Sequence, residues 1–201
     1  VPSLTLWGPM GNTASRRGMP RNCRRSFSTL SSIIHKEQNG EVMESIMTLC
    51  LAAGLALQLN PAQQRNICRY EKDIIENANK YNLDPALIAG LMYVESSYYP
   101  HVVSGADACG LMQVIPKWTG GPATGGKRYT CEQLKEPRTA ISAGTRILNW
   151  TINSFAKGNL DQGLCFYNAG SICKRETFYK NLYYVKLVKR VRDKIKRAYE
   201  E

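Results

Sequence analysis

Between Asn66 and Tyr81 the apolar residues Ile67, Ile74, Ile75 and Ala78 fall on one helical face, and the pattern stops near Tyr81. Asp84 followed by Pro85 is a helix start, with Asp as N-cap and Pro at the first helical position. The run Ala86-Leu87-Ile88-Ala89-Gly90-Leu91-Met92 then predicts a helix buried on most of its sides. Pro137 precedes another helix carrying Ala140, Ile141, Ala143, Ile147, Leu148 and Phe155, and Asn159 opens one that ends at Asn168, before the stop residue Gly170. Near the C-terminus Phe178, Leu182, Val185, Val188, Val191, Ile195 and Tyr199 recur at spacings of three and four, which makes an amphipathic helix with Lys and Arg on its outer face. Strand signals are scarce, and at most a short hairpin is expected. The fold class is mainly α.

The first 45 residues differ from the rest. Ser, Gly, Pro and Arg are frequent through Ser32, and no apolar period lasts long enough to build a core, so residues 1–45 read as a basic arm, disordered or docking. Residues 46–60 form a separate apolar segment. Its Ile46–Leu59 stretch is short of the ~20 residues that a spanning helix needs. Two readings stand for it. One is a secretory signal core with Gly54-Leu55-Ala56 as a cleavage site, disfavoured by Glu41 and Glu44 on its near flank. The other is a helix docking on the domain that occupies residues 61–201.

A length of 201 residues suits one domain plus an extension, and 43% hydrophobic with 21% charged residues is the composition of a globular chain. The net charge of +11 implies attraction to polyanions without choosing among nucleic acid, anionic lipid and cell wall. No nucleic-acid reader motif accompanies it, so no specific nucleic-acid partner is expected. Seven cysteines, none spaced as a zinc or redox pair, point away from a metal and towards disulfides among the five from Cys68 onward, with Cys165 and Cys173 close enough to staple one loop. Pairing is not deducible, and buried free thiols are the alternative. Gly120 to Tyr129 is Gly-rich but lacks a full phosphate-binding pattern, leaving a rim over a groove or a plain connector.

Candidate chemistry centres on Glu95, at the end of the apolar helix that starts at Pro85. A helix C-terminus is partially negative and apolar surroundings desolvate a carboxylate, so both favour the neutral acid, which can donate a proton. Glu95-Ser96-Ser97 is followed by Ser104, by Gly110-Leu111-Met112-Gln113, by Phe166-Tyr167-Asn168-Ala169-Gly170 and by Tyr184-Val185. In this order the motifs resemble the soluble lytic transglycosylases, whose domain is lysozyme-like and related to goose-type lysozyme; the resemblance covers Asn66 to about Lys196. One departure is Asp107-Ala108, where the family has Gly-Ala.

The resemblance implies a lytic transglycosylase domain with an N-terminal extension, acting on peptidoglycan glycan strands. Glu95 would be the catalytic acid that cleaves the MurNAc-GlcNAc β-1,4 bond, and a 1,6-anhydroMurNAc end would form in place of hydrolysis. Ser104, Gly110, Met112, Gln113, Tyr167, Asn168 and Tyr184 are the implied substrate-binding residues, and no cofactor or metal is called for. Their chemistry allows the roles: Gln113 offers an amide to sugar acetamido and hydroxyl groups, Gly110 permits close backbone approach, and Tyr184 can reach Glu95 from the last helix. Met112 fits core filling as well as sugar contact. Asp107, as a second carboxylate, would instead allow a lysozyme-like hydrolase. A further alternative is a glycan-binding or structural component of a phage virion or secretion machine, with the basic arm or apolar segment as its docking element. The expected location is the periplasm or cell envelope, or a virion under that alternative.

Overall fold

A computed structural model of the chain describes residues 48–170 and 175–200. The arm over residues 1–45 therefore lies outside the described residues. The described residues are helical, with no named strand among them: α1 (Leu49–Leu57), α2 (Pro61–Tyr81), α3 (Pro85–Ser96), α4 (Cys131–Lys135), α5 (Pro137–Asn149), α6 (Leu160–Ala169) and α7 (Arg175–Glu200).

Caps set most of the boundaries. The side chain of Asn60 accepts the amides of Ala62 and Gln63 while Gln63 returns a bond to the Asn60 amide, a capping box that starts α2 at Pro61, a turn and more before the apolar period. Asp84 accepts the Ala86 amide at 2.8 Å and opens α3 at Pro85. Asn159 caps α6 and Gly170, left-handed, ends it. The expected single helix from Pro137 to Phe155 is two pieces. The α-helical turns end at Asn149 and Trp150–Phe155 continues as a π-helix, a wider winding that the apolar spacing does not reveal.

The core is continuous. α3 packs along α7, α1 along α7 and α2, and α2 against α5. Ile88, Leu91 and Met92 of α3 meet Val185, Val188 and Ile195 of α7 in one buried cluster with Ile67 and Ile74 of α2. Each fully buried aliphatic side chain of this kind stabilises the fold by roughly 1.5–3 kcal/mol. The outer face of α7 is in part ion-paired, with Lys189 to Asp161 at 2.7 Å and Lys196 to Asp84 at 3.7 Å. The Phe178 side chain, expected on the inner face, lies outside the described residues.

Within the apolar segment, α1 buries Leu49, Cys50, Ala52 and Ala53 and belongs to the same compact unit as the other described helices. Cys50, outside the five cysteines among which disulfides were expected, is bridged to Cys68. The cause is tertiary, because the docking of α1 on α2 brings Cys50 to a distant turn. Cys109 is bridged to Cys131 and Cys165 is also disulfide-bonded, while Cys173 lies outside the described residues. No described helix is long and apolar enough to cross a membrane.

Candidate active site

The site is built where the end of α3 meets the 102–114 loop, α6 and α7. Glu95 occupies the last turn of α3. The backbone then turns left-handed at both Ser97 (φ 52°) and Tyr98 (φ 66°), so the chain leaves the helix abruptly and the Tyr98 ring enters the core, fully buried against Tyr93. Ser96, next to the candidate acid, faces inward; its hydroxyl lies 3.0 Å from the Met92 carbonyl and 2.9 Å from that of Leu111. That hydroxyl latches the helix end to the Gly110–Gln113 segment.

The Glu95 carboxylate accepts a 2.5 Å hydrogen bond from the Tyr184 hydroxyl, which crosses to it from α7. Burial pushes the Glu95 carboxyl up to about 7, opposed in part by the Tyr184 hydrogen bond, which favours the charged form. Burial also raises the Tyr184 and Tyr167 phenols well above the ordinary range, and the Glu95 charge adds to the rise in both. Both phenols therefore stay neutral donors. Tyr167 donates at 2.8 Å to the Met112 carbonyl, joining α6 to the loop.

The loop is tied down by its own hydrogen bonds. Cys109 pairs with Val103 on one side and Val114 on the other, which is the whole extent of the expected hairpin. The Gln113 side-chain amide donates to the carbonyls of Val102 (3.1 Å) and Gly110 (3.0 Å). Ser104 accepts the amides of Ala106 (3.2 Å) and Ala108 (3.1 Å), closing the turn that carries Asp107.

The expected residues thus divide. Glu95, Tyr184 and Tyr167 come together as one hydrogen-bonded and electrostatically coupled set, with Gln113 on the adjoining loop. The remaining expected residues make contacts within the protein. The Met112 side chain is 0% exposed, packed against Gly144 so closely that a Cβ there would sit 2.5 Å from that of Met112; it fills the core, and only its carbonyl serves the site. Gly110 is needed for a protein contact: at φ +76°, its Cβ would lie 1.8 Å from the Leu134 carbonyl oxygen of α4. Ser104 spends its hydroxyl on the loop turn, and no hydrogen bond joins it to Glu95. Asn168 is exposed and its side-chain amide donates to Asn181 of α7 at 2.6 Å. Asp107 is exposed on the turn, at a left-handed φ of 61°.

Sequence reasoning missed Ser96 as the latch, although its place in the Glu-Ser pair was a signal. It also missed Cys131 and Leu134, which brace the loop from α4 and have no local signal.

The comparisons bear on this arrangement. Residues 72–182 match the family model described as the transglycosylase SLT domain. Over 102 residues the chain is 36% identical to membrane-bound lytic murein transglycosylase E of Buchnera aphidicola, covering 48% of this chain and 46% of that protein. It is 39% identical over 85 residues to membrane-bound lytic murein transglycosylase C of Haemophilus ducreyi, covering 40% of this chain and 23% of that one. The chain thus spans less than half the length of these relatives. Among solved structures, an inactive mutant of lytic transglycosylase Slt from Pseudomonas aeruginosa aligns with a TM-score of 0.50 and 20% identity, over 75% of this chain and 29% of that one, a likeness of fold. With the family model matching more than half of its length, this chain belongs to the transglycosylase SLT family.

Proposed function

We propose that the chain is a peptidoglycan lytic transglycosylase, cleaving the β-1,4 bond between N-acetylmuramic acid and N-acetylglucosamine with formation of a 1,6-anhydro end, and that it works in the cell envelope. The observation that carries this reading is the state of Glu95, a carboxyl raised to about 7 by burial and held by a neutral phenol. Near neutral pH it is present in both protonation states, which a residue acting first as acid and then as base requires.

In the first step Glu95 donates its proton to the glycosidic oxygen, and the bond from that oxygen to the muramyl anomeric carbon breaks. The muramyl C6 hydroxyl then attacks that carbon and gives its proton to the Glu95 carboxylate. The acid is regenerated, no water is consumed, and one carboxyl suffices. Tyr184, donating to Glu95, stabilises the carboxylate between the steps and holds its orientation. Ser96 and Tyr167 fix the loop through the Leu111 and Met112 carbonyls, leaving the Gln113 carboxamide oxygen to receive a sugar hydroxyl or acetamido N–H.

The test is mass spectrometry of fragments released from purified peptidoglycan by the chain and by Glu95→Gln. Anhydro-muramyl ends from the first and none from the second are expected. Reducing ends would shift the reading to a hydrolase and make Asp107 the next residue to replace. Binding without release by either protein would favour a glycan-binding or structural role.

A further inference from the structure

Trp118 is 72% exposed, more than any other large apolar side chain among the described residues. It lies five positions after Gln113, at the end of a single 3-10 turn, Pro116–Trp118. Its backbone is fixed on both sides. The Trp118 amide donates to the Ile115 carbonyl at 3.0 Å, and the next residue, Thr119, is buried. The Thr119 hydroxyl donates to the Pro116 carbonyl at 2.7 Å and accepts the Tyr129 amide at 3.0 Å. Upstream, Val114 is paired with Cys109, whose disulfide to Cys131 anchors the same loop. An exposed indole is therefore carried on a rigid support that is continuous with the loop beside Glu95.

Large aromatic side chains are ordinarily buried, and an indole held in water on a fixed backbone offers an apolar, electron-rich surface to a ligand. The Lys117 ammonium lies over one face, 5.4 Å from the ring centroid, and the opposite face is the one for stacking. The C–H face of a pyranose ring is the complementary surface. Five residues place Trp118 within roughly 18 Å of Gln113 at most, a distance that a strand of a few linked sugars can span. Tyr99 and Val103, also exposed, belong to the same stretch of chain between Glu95 and Trp118.

We propose that Trp118 is a distal saccharide platform, which stacks on a sugar ring of a β-1,4-linked amino-sugar strand away from the cleaved bond and selects long strands over short ones. The proposal deepens the reading of the site as a glycan-cleaving one and rests on it.

The experiment compares Glu95→Gln with Glu95→Gln/Trp118→Ala in calorimetric titrations with the β-1,4-linked hexamer and trimer of N-acetylglucosamine. Expected is a loss of hexamer affinity of about tenfold, the size of one aromatic stacking contact, with trimer affinity unchanged. Trp118→Phe in the same background should recover part of the loss. On peptidoglycan, Trp118→Ala alone should raise the half-saturating substrate concentration and keep the turnover rate. Unchanged hexamer affinity overturns the proposal, as does an equal loss for both oligomers, which would mean that the substitution disturbs the central site. If the unsubstituted chain releases no fragments while the hexamer effect stands, the enzymatic reading fails and the platform survives as a glycan-binding element.

Discussion

At the scale of single residues, Glu95 ties the proposed chemistry to the stability of the fold. Its carboxyl stands at about 7 when folded, against about 4.5 when unfolded. Between those values the folded state binds more protons than the unfolded one at this group, so the contribution of Glu95 to stability is fully present below pH 4.5 and is lost as pH rises through 7, by on the order of 3 kcal/mol in all. Glu95→Gln, which cannot ionise but still accepts from Tyr184, should be more stable than the unsubstituted chain at pH 8 and indistinguishable from it at pH 4.5; urea melts at the two pH values check this. Tyr184→Phe acts in the other direction on the same group. The hydrogen bond it removes lowers the Glu95 value, so the alkaline limb of the pH–rate profile should move to higher pH, with a fall in the maximum rate as the carboxylate loses its orienting donor.

Among elements, the loop that carries Gly110 and Gln113 depends on a helix of only five residues. α4 supplies Cys131 to the disulfide with Cys109 and presents the Leu134 carbonyl against Gly110. Gly110→Ala meets both a positive φ and a backbone atom that has no rotamer to escape into. It should cost the protein about 2–4 kcal/mol and most of its activity, by backbone strain added to overpacking. Thermal unfolding read beside peptidoglycan turnover checks it, and an unchanged midpoint would mean that the loop and α4 separate easily. The capping box at Asn60 and the left-handed cap at Asn82 are local devices of the kind that short sequence patterns announce. The brace from α4 is not, because it joins residues more than twenty positions apart through a carbonyl that any residue carries.

For the whole molecule, α1 makes the apolar segment part of the fold. Its bridge from Cys50 to Cys68 closes a separation of 18 residues, which in the chain-entropy account stabilises by about 3 kcal/mol. Cys50→Ser with Cys68→Ser should lower the denaturation midpoint accordingly while leaving fragment release at low temperature largely intact, since neither cysteine touches the Glu95 set. Loss of activity without loss of stability would instead place α1 in the substrate path. The basic character of the chain is also resolved at this scale. Some of the α7 cations are paired with Asp161 and Asp84, so the net charge overstates what that helix offers to a polyanion.

Sequence alone determined the mainly helical class, the start of α3 at Asp84-Pro85, the inward face of α7 and the family, because helical period, caps and short ordered motifs are local and depend only on residue type and spacing. It also singled out Glu95, from its place at the end of an apolar helix together with the ordered motifs that follow it. Tertiary structure decided the rest. Tyr167 finds the Met112 carbonyl across 55 residues of chain, Gly144 makes room for Met112, Gly110 faces Leu134, and Cys50 finds Cys68. Such contacts are set by which helix faces pack together, and helix packing is settled by the burial of the whole core, which no window of the sequence contains.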